Sequence, residues 1–366
     1  MPILSDYWNT FQASLFPRLE TVVEEPLTEM LRKFLYTVDI VRVEHYVASP
    51  FTQWMGRKEA DRRSIARAFV AKAVYNLPTT ELLLEMLRTN SVLRRFCGFA
   101  YQRDIPSAST FSRAFAQFAN SELGDLLHEG VVKEHVGDKV VIHNSRDSTA
   151  VEARETAARK VKPVAREKRK RGRPRKDEQV PPREPPRLVR QLTQSSEEAL
   201  AELPRVCDVG CKKDAKGFQH SWKGWKAHID WADGCFPLNV VTTSASVHDS
   251  QVAIPMARIT AKRVTSLYDL MDSAYDAPQI HAVSLLLGHV ALIDPNPRRG
   301  DDPVPWDPDR VRRYNERSNA ERGNSRLKDE FGLRHLRVRG HAKAHLHIMF
   351  GVLALAADAL RHISNG

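Results

Sequence analysis

Apolar and polar positions change their period partway along this chain, and the change divides it. From the N-terminus to about residue 135 the apolar residues recur at helical spacing. Ile65, Phe69 and Val70 share one face of a stretch from Arg62 to Tyr75 whose other face is basic. The segments from Thr79 to Arg88 and from Ser91 to Phe99 predict two further short helices. Pro106 with Ser107 and Ser109 signals another helix start. Phe111, Phe115 and Phe118 follow at helical spacing and leave Thr110, Ser112, Arg113 and Gln117 outward. Short helices ending in a polar, arginine-bearing one suit a helix-turn-helix DNA reader. A helical bundle with no DNA role fits the same pattern.

Beyond Lys139 the pattern becomes α/β. A strand runs from Lys139 to Asp147 and ends on an acid. Two more strands, from Ser221 to Ala232 and from Pro237 to Val247, form a hairpin around Asp233-Gly234. In the first, Trp225, Ala227, Ile229 and Trp231 alternate with Lys226, His228 and Asp230, which predicts one buried face and one polar face. Asp249 caps a helix to about Lys262, and another strand runs from Val264 to about Asp272. A helix from Pro278 to Leu287, a short strand from His289 to Asp294 and two helices near 309–330 and 342–362 complete the pattern. The expected architecture is an all-helical domain over 1–135, then a mixed-sheet α/β domain over 136–362. A Pro-rich, charged insert at about 156–205, expected to be disordered, interrupts the second domain.

Composition sharpens this picture at one place. The net charge is +11, and residues 159–176 hold eleven lysines and arginines against the single acid Glu167, so the remainder is close to neutral. Localised positive charge points to a polyanion. At its centre, Arg171-Gly172-Arg173-Pro174 resembles an AT-hook lying in a narrow A·T minor groove. An unstructured basic linker gripping phosphates accounts for it equally. No basic region followed by an apolar stretch opens the chain, and the apolar run from Ile348 to Leu360 is too short to span a bilayer. Four cysteines form no disulfide framework, so a reducing cytoplasm is the expected setting. Cys207 and Cys211 have a spacing compatible with zinc, but Cys235 and His220 complete it irregularly.

The chemistry concentrates near the C-terminal end. Tyr314, Arg317, Glu321 and Lys328 stand at offsets of three, four and seven, within about a quarter-turn of one helix surface. Glu316 and Glu330 lie off that stripe. A carboxylate set among cations suits a site where the acid holds a metal while Arg and Lys grip neighbouring phosphates. A solvated helix with mixed charges is the alternative.

The segment YNERSNAERGNSRLK resembles the Y-x2-R-x3-E-x6-K signature of one branch of the DDE transposases of bacterial insertion sequences. RDSTAVEAR, WKGWKAHIDWADG, VTTSASVHDSQ, YDLMDSAYDA and VRGHAKAHLHIMFGVLAL agree with it, so the resemblance covers residues 60 to 362. It implies a ribonuclease H-like core, an acid triad of Asp147, Asp272 and Glu321, and Mg²⁺ with Mn²⁺ able to substitute. The implied partners are double-stranded DNA (terminal inverted repeats and target), bound as a homodimer. Tyr314, Arg317, Lys328, Arg113, Arg171 and Arg173 are the candidate DNA contacts. Asp269 and Asp276 compete with Asp272, but one sits inside the strand and the other past it. His228, His248 and Asp249 either lie near the site or serve strand packing and helix capping. A transposase-derived DNA-binding protein that no longer cuts is the alternative function.

Overall fold

Side-chain caps start the early helices. Thr28 accepts from the Leu31 N–H at the head of α1 (Glu29–Val41), and Asp61 from Arg63 at the head of α2 (Arg62–Val74). Thr79 does the same for α3 (Thr80–Thr89), and Asn90 for α4 (Ser91–Cys97). Each such cap satisfies an N–H that the helix itself leaves open. In α5 (Ala108–Asn120) the phenylalanine stripe is buried, with Ser112, Arg113 and Gln117 exposed. Phe69 meets Phe111 and Phe115 edge-on at 5.6 and 4.9 Å. Helix α6 (Leu123–His135) closes this layer. These elements come from a computed structural model that describes residues 27–48, 59–159, 184–213, 217–296 and 305–365.

The rest is built on a six-stranded sheet. Strand β1 (Val140–Glu152) is followed by two short helices, α7 (Arg187–Gln191) and α8 (Ser196–Ala201), and by β2 (Asp208–Lys213). Strands β3 (Gln219–Ala232) and β4 (Phe236–Ser244) form the hairpin, α9 (Ser250–Ala261) crosses over, and β5 (Thr265–Met271), α10 (Pro278–Leu286) and β6 (Val290–Ile293) follow. β1 lies between β3, antiparallel, and β5, parallel; β6 extends the parallel side. On its outer edge β3 carries β2 along its first half and β4 along its second. Leaving β2 aside, the order β4-β3-β1-β5-β6 is the ribonuclease H-like sheet that the resemblance implies.

Helices α11 (Pro308–Asn315), α12 (Ser318–Asp329) and α13 (His341–Asn365) finish the chain. By length and composition alone α13 could cross a membrane, yet 78% of its apolar window is buried inside the fold. It packs on α1, α2, α5 and α6 and also on β4, so one hydrophobic core joins the helical layer to the sheet. Asp358, buried on α13, gathers Lys33 of α1 at 3.2 Å and Arg326 of α12. That hub fixes α12 against both layers.

Four details correct the expectations above. β1 runs on past Asp147 to Glu152 along β3, while its pairing with β5 stops at Ser145–Leu270. Asp147 therefore stands beside the end of β5 rather than at the end of its own strand. The polar face of β3 is not solvated: His228 and Asp230 are fully buried, and Thr260 of α9 donates to Asp230. Part of the expected disordered insert is folded. Gln191 is buried, and Arg258 of α9 donates to the carbonyls of Gln191, Leu192 and Gln194 at 2.9, 2.8 and 2.7 Å. A guanidinium that satisfies three carbonyls lets a charged segment dock, which composition cannot reveal. The helix expected over 309–330 is two helices, joined where Arg317 donates to Tyr314 O and Asn319 to Glu316 O in tightened three-residue steps. Arg171 and Arg173 lie outside the described residues.

Candidate active site

The end of β5 brings two of the three expected acids together. Asp272 follows Met271 directly and accepts the Ala274 N–H at 3.0 Å, which turns the chain away from the sheet. Asp147 sits on the neighbouring strand past the last β1–β5 pair. Burial raises the Asp147 carboxyl to about 6; the Ser148 N–H opposes this, and the charge of Asp272 adds to it. Burial also raises Asp272, opposed by the Ala274 N–H and reinforced by Asp249. Lys212 and Arg317 pull both carboxyls down, but burial outweighs them.

What holds them there is a buried ion pair one residue away. The Arg146 guanidinium grips Asp230 through Nε at 2.7 Å and Nη2 at 3.0 Å, and Nη1 reaches the Met271 sulfur at 3.5 Å. Arg146 and Met271 immediately precede Asp147 and Asp272. The same pair thus ties together the two strand ends that carry the acids.

Helix α12 covers the site from above. A Cβ on Gly323 would lie 2.7 Å from the Trp231 ring, so only glycine lets the helix rest this low on β3. That approach places the Asn324 amide 2.9 Å from Asp147 Oδ2, as donor. Glu321, three residues earlier, faces outward with its side chain 62% exposed and accepts from Arg317 at 2.8 Å. Among the described residues no group of three His, Cys, Asp or Glu side chains is arranged to hold a metal ion. The geometry joins Asp147 with Asp272 and keeps Glu321 on Arg317.

Cations surround the acid pair. Burial alone would lower the Arg317 guanidinium, but Tyr314, Asp147, Glu321 and Asp272 outweigh it and hold the charge. Tyr314 packs edge-on to Trp306 at 4.9 Å, with Arg317 5.9 Å above its ring, and burial pushes its phenol up to about 12. The Lys328 ammonium is lowered by burial and then by Arg334 and Lys212. Lys212 on β2 is felt by both aspartates and was not anticipated from sequence. Asn324 was also missed, although its offset of three from Glu321 places it on the same stripe. Arg113 stands on the exposed face of α5, held by Thr110, in the helical layer rather than at this site.

The remaining candidates divide. Asp249 heads α9 without capping it; burial draws its carboxyl upward, but His228, Lys226 and Ser148 outweigh that and keep it ionised. Lys226 donates to it at 3.0 Å. His228 lies 2.9 Å from Thr243 Oγ1, and burial lowers its imidazole to about 4. His248 caps locally, with Nδ1 2.8 Å from Ser250 Oγ. Asp269 is buried among Asn144, Ser284 and His289, and Asp276 bonds His281. Cys207 lies against Glu155 O, and Cys235 against Asn319 O.

Asp147 and Asp272 therefore fit a hard divalent cation, by donor chemistry and because the nearby cations do not offset the burial of the pair. Among known families, one described as a transposase DDE domain matches residues 147–357, more than half of the chain. Another, described as a transposase domain (DUF772), matches residues 20–117. No curated protein matches.

Proposed function

Because the chain belongs to the DDE transposases of insertion-sequence type, we propose that it binds the inverted-repeat ends of such an element, cleaves them and joins them to target DNA. Its place in the Y-x2-R-x3-E-x6-K branch is part of the same reading. One observation carries it: two raised, adjacent carboxylates beneath a helix that presents a guanidinium already paired to a third acid.

Asp147 and Asp272 hold divalent ions in this reading, Mg²⁺ by preference with Mn²⁺ able to substitute. Bound there, such ions stabilise negative charge on the attacking and departing oxygens of a phosphodiester. Glu321 would supply the third ligand if a DNA phosphate drew Arg317 away from its carboxylate. Arg317, Lys328 and Lys212 then hold phosphates, and Tyr314 braces Arg317. Asn324 keeps Asp147 oriented. Asp249 stays with Lys226 and takes no part in metal binding.

The N-terminal region over residues 1–135 carries end recognition in this scheme, with Arg113 on the exposed face of α5. Residues 136–362 carry the chemistry, and the basic segment with Arg171 and Arg173 adds phosphate contacts. The working form on DNA is a homodimer in the cytoplasm, associated with the nucleoid. The test uses duplexes of the DNA flanking the gene, with Mg²⁺ or Mn²⁺. Asp147→Ala, Asp272→Ala and Glu321→Ala should each abolish cleavage and leave gel-shift binding nearly intact. Cleavage by any of them at more than a trace of the wild-type rate sinks the assignment. Wild-type binding without cleavage in either metal favours a DNA-binding protein that no longer cuts.

A further inference from the structure

A second basic site lies away from the acids, in a cavity of about 330 Å³ between the helical layer and the chain that follows α12. Lys72 enters it from α2, Arg337 and Arg339 from the segment after α12, and Lys343 from the first turns of α13. Glu81 is the single acid on its wall. Phe69, Phe115, Phe331 and Phe350 form an apolar floor. This wall brings four cations against one acid.

Two neighbouring arginines are matched. Arg326 pairs with Glu330, and Arg334 with Asp329 at 2.7 Å. Among the described residues no salt bridge joins Lys72, Arg337, Arg339 or Lys343 to an acid. Burial and then the charge of Arg337 push the Lys72 ammonium down to about 8, with Glu81 opposing them only weakly enough to leave it there. The two histidines on the wall do not relieve the imbalance. His347 lies 2.9 Å from Gly332 O and burial lowers it to about 4, while His335 is lowered by burial and by Lys72. Arg337 and Arg339 are exposed and Lys72 and Lys343 half-buried, so the cluster concentrates positive charge where a polyanion can reach it.

We propose that this cavity is a phosphate-binding site that anchors the backbone of bound DNA at a distance from the acid pair. The proposal rests on the reading that this chain binds DNA. Its position argues for a DNA phosphate over a free one. Ser112, beside Arg113 on the exposed face of α5, lines one wall, and the segment leaving α12 lines another. An apolar floor beneath guanidinium and ammonium groups grips charge and reads no base edges.

Full-length wild-type protein, Arg337→Gln/Lys343→Gln, Lys72→Met and the control Arg334→Gln are compared by salt titration of affinity for two unrelated duplexes. For the double variant, the slope of log affinity against log salt should flatten by about 1.8, near 0.9 for each lost contact. Both duplexes should lose affinity by the same factor, since phosphate contacts carry no sequence information. Lys72→Met should flatten the slope by about 0.9 without lowering Tm, and Arg334→Gln should leave the slope unchanged. Unchanged slopes in both cavity variants overturn the proposal while leaving DNA binding intact. A wild-type chain that binds neither duplex removes the underlying reading and this proposal with it. Inorganic phosphate is the second probe, added against chloride at equal ionic strength. A Tm gain in wild type but not in the variants, together with unchanged DNA slopes, assigns the cavity to a free phosphate compound and overturns the DNA version.

Discussion

Replacing Asp147 with asparagine removes a charge that the fold holds out of water while keeping the shape of the side chain and an acceptor for the Asn324 amide. An ordinary aspartate titrates at 3.8, and this one is raised to about 6, by burial first and by Asp272 as well. The native protein therefore binds more protons than the unfolded chain between those values, and stability falls as pH rises through them. Above pH 6 the full penalty is present, roughly 3 kcal/mol from that gap and nearer 2 given the remaining solvent contact. Asp147→Asn should recover it. With an unfolding entropy of about 2.1 cal/mol/K per residue, the gain for 366 residues is a Tm higher by roughly 2–4 °C. The assay is calorimetry of metal-free protein at pH 7.5, repeated in steps down to pH 4.5, where the difference should shrink. Mg²⁺ should then raise the Tm of wild type and not that of the variant. A variant that is no more stable than wild type at pH 7.5, or equally stabilised at both ends of the pH range, would refute the idea of a carboxylate whose burial nearby cations do not offset.

Three further outcomes follow from the same geometry. Gly323→Ala forces a methyl group onto the Trp231 ring, which should destabilise by about 1–3 kcal/mol and slow cleavage more than end binding; urea unfolding beside a cleavage assay reads both. Asp230→Ala strands the buried Arg146 guanidinium and should lower stability by about 3–5 kcal/mol, with Asp230→Ala/Arg146→Met recovering much of it; a double variant no better than the single one contradicts the pairing argument. Arg317→Ala should weaken assembly on DNA ends, with cleavage partly rescued by higher protein concentration, and leave the Mg²⁺ requirement unchanged. A large shift in that requirement at undiminished end binding would mean that Arg317 shapes the metal site instead.

Five of the six strands were legible because strand periodicity and the Asp233-Gly234 turn are local signals, while their order came only with the family resemblance and β2 was missed. The place of Asp272 was legible from local pattern, as an acid just past an apolar strand. For Asp147 the reason was wrong: its position depends on where a strand more than a hundred residues away stops pairing. Periodicity cannot show that, since pairing partners are set by tertiary contact. The burial of His228 and Asp230 was hidden likewise, because alternation tells which residues share a face and not what covers it. Helix α7 escaped because its docking rests on one arginine of a distant helix, whereas α8 carries a local start signal, the Ser195–Glu198 capping box, inside a stretch read as disordered from composition. Lys212 had no local signal at all: β2 is a short strand made by its partner, and its lysine matters only through what lies across the sheet. The cation cluster around Lys72 draws on separate stretches of chain that no motif connects.

Helix α13 fills the middle of the helical layer while also lying on β4. During synthesis α1 to α6 emerge long before α13 does, with their apolar faces open. The N-terminal layer therefore has no finished interior until nearly all of the described chain exists, and its contacts are non-local in the sense that slows folding. A product terminated ahead of His341 is then expected to be a target for proteolysis and aggregation instead of a free-standing DNA reader. Under the proposed function, truncated translation products would not accumulate as competitors for the ends of the element, and occupancy of those ends would track the amount of completed protein. Placing a late helix in an early core makes quality control a property of chain order.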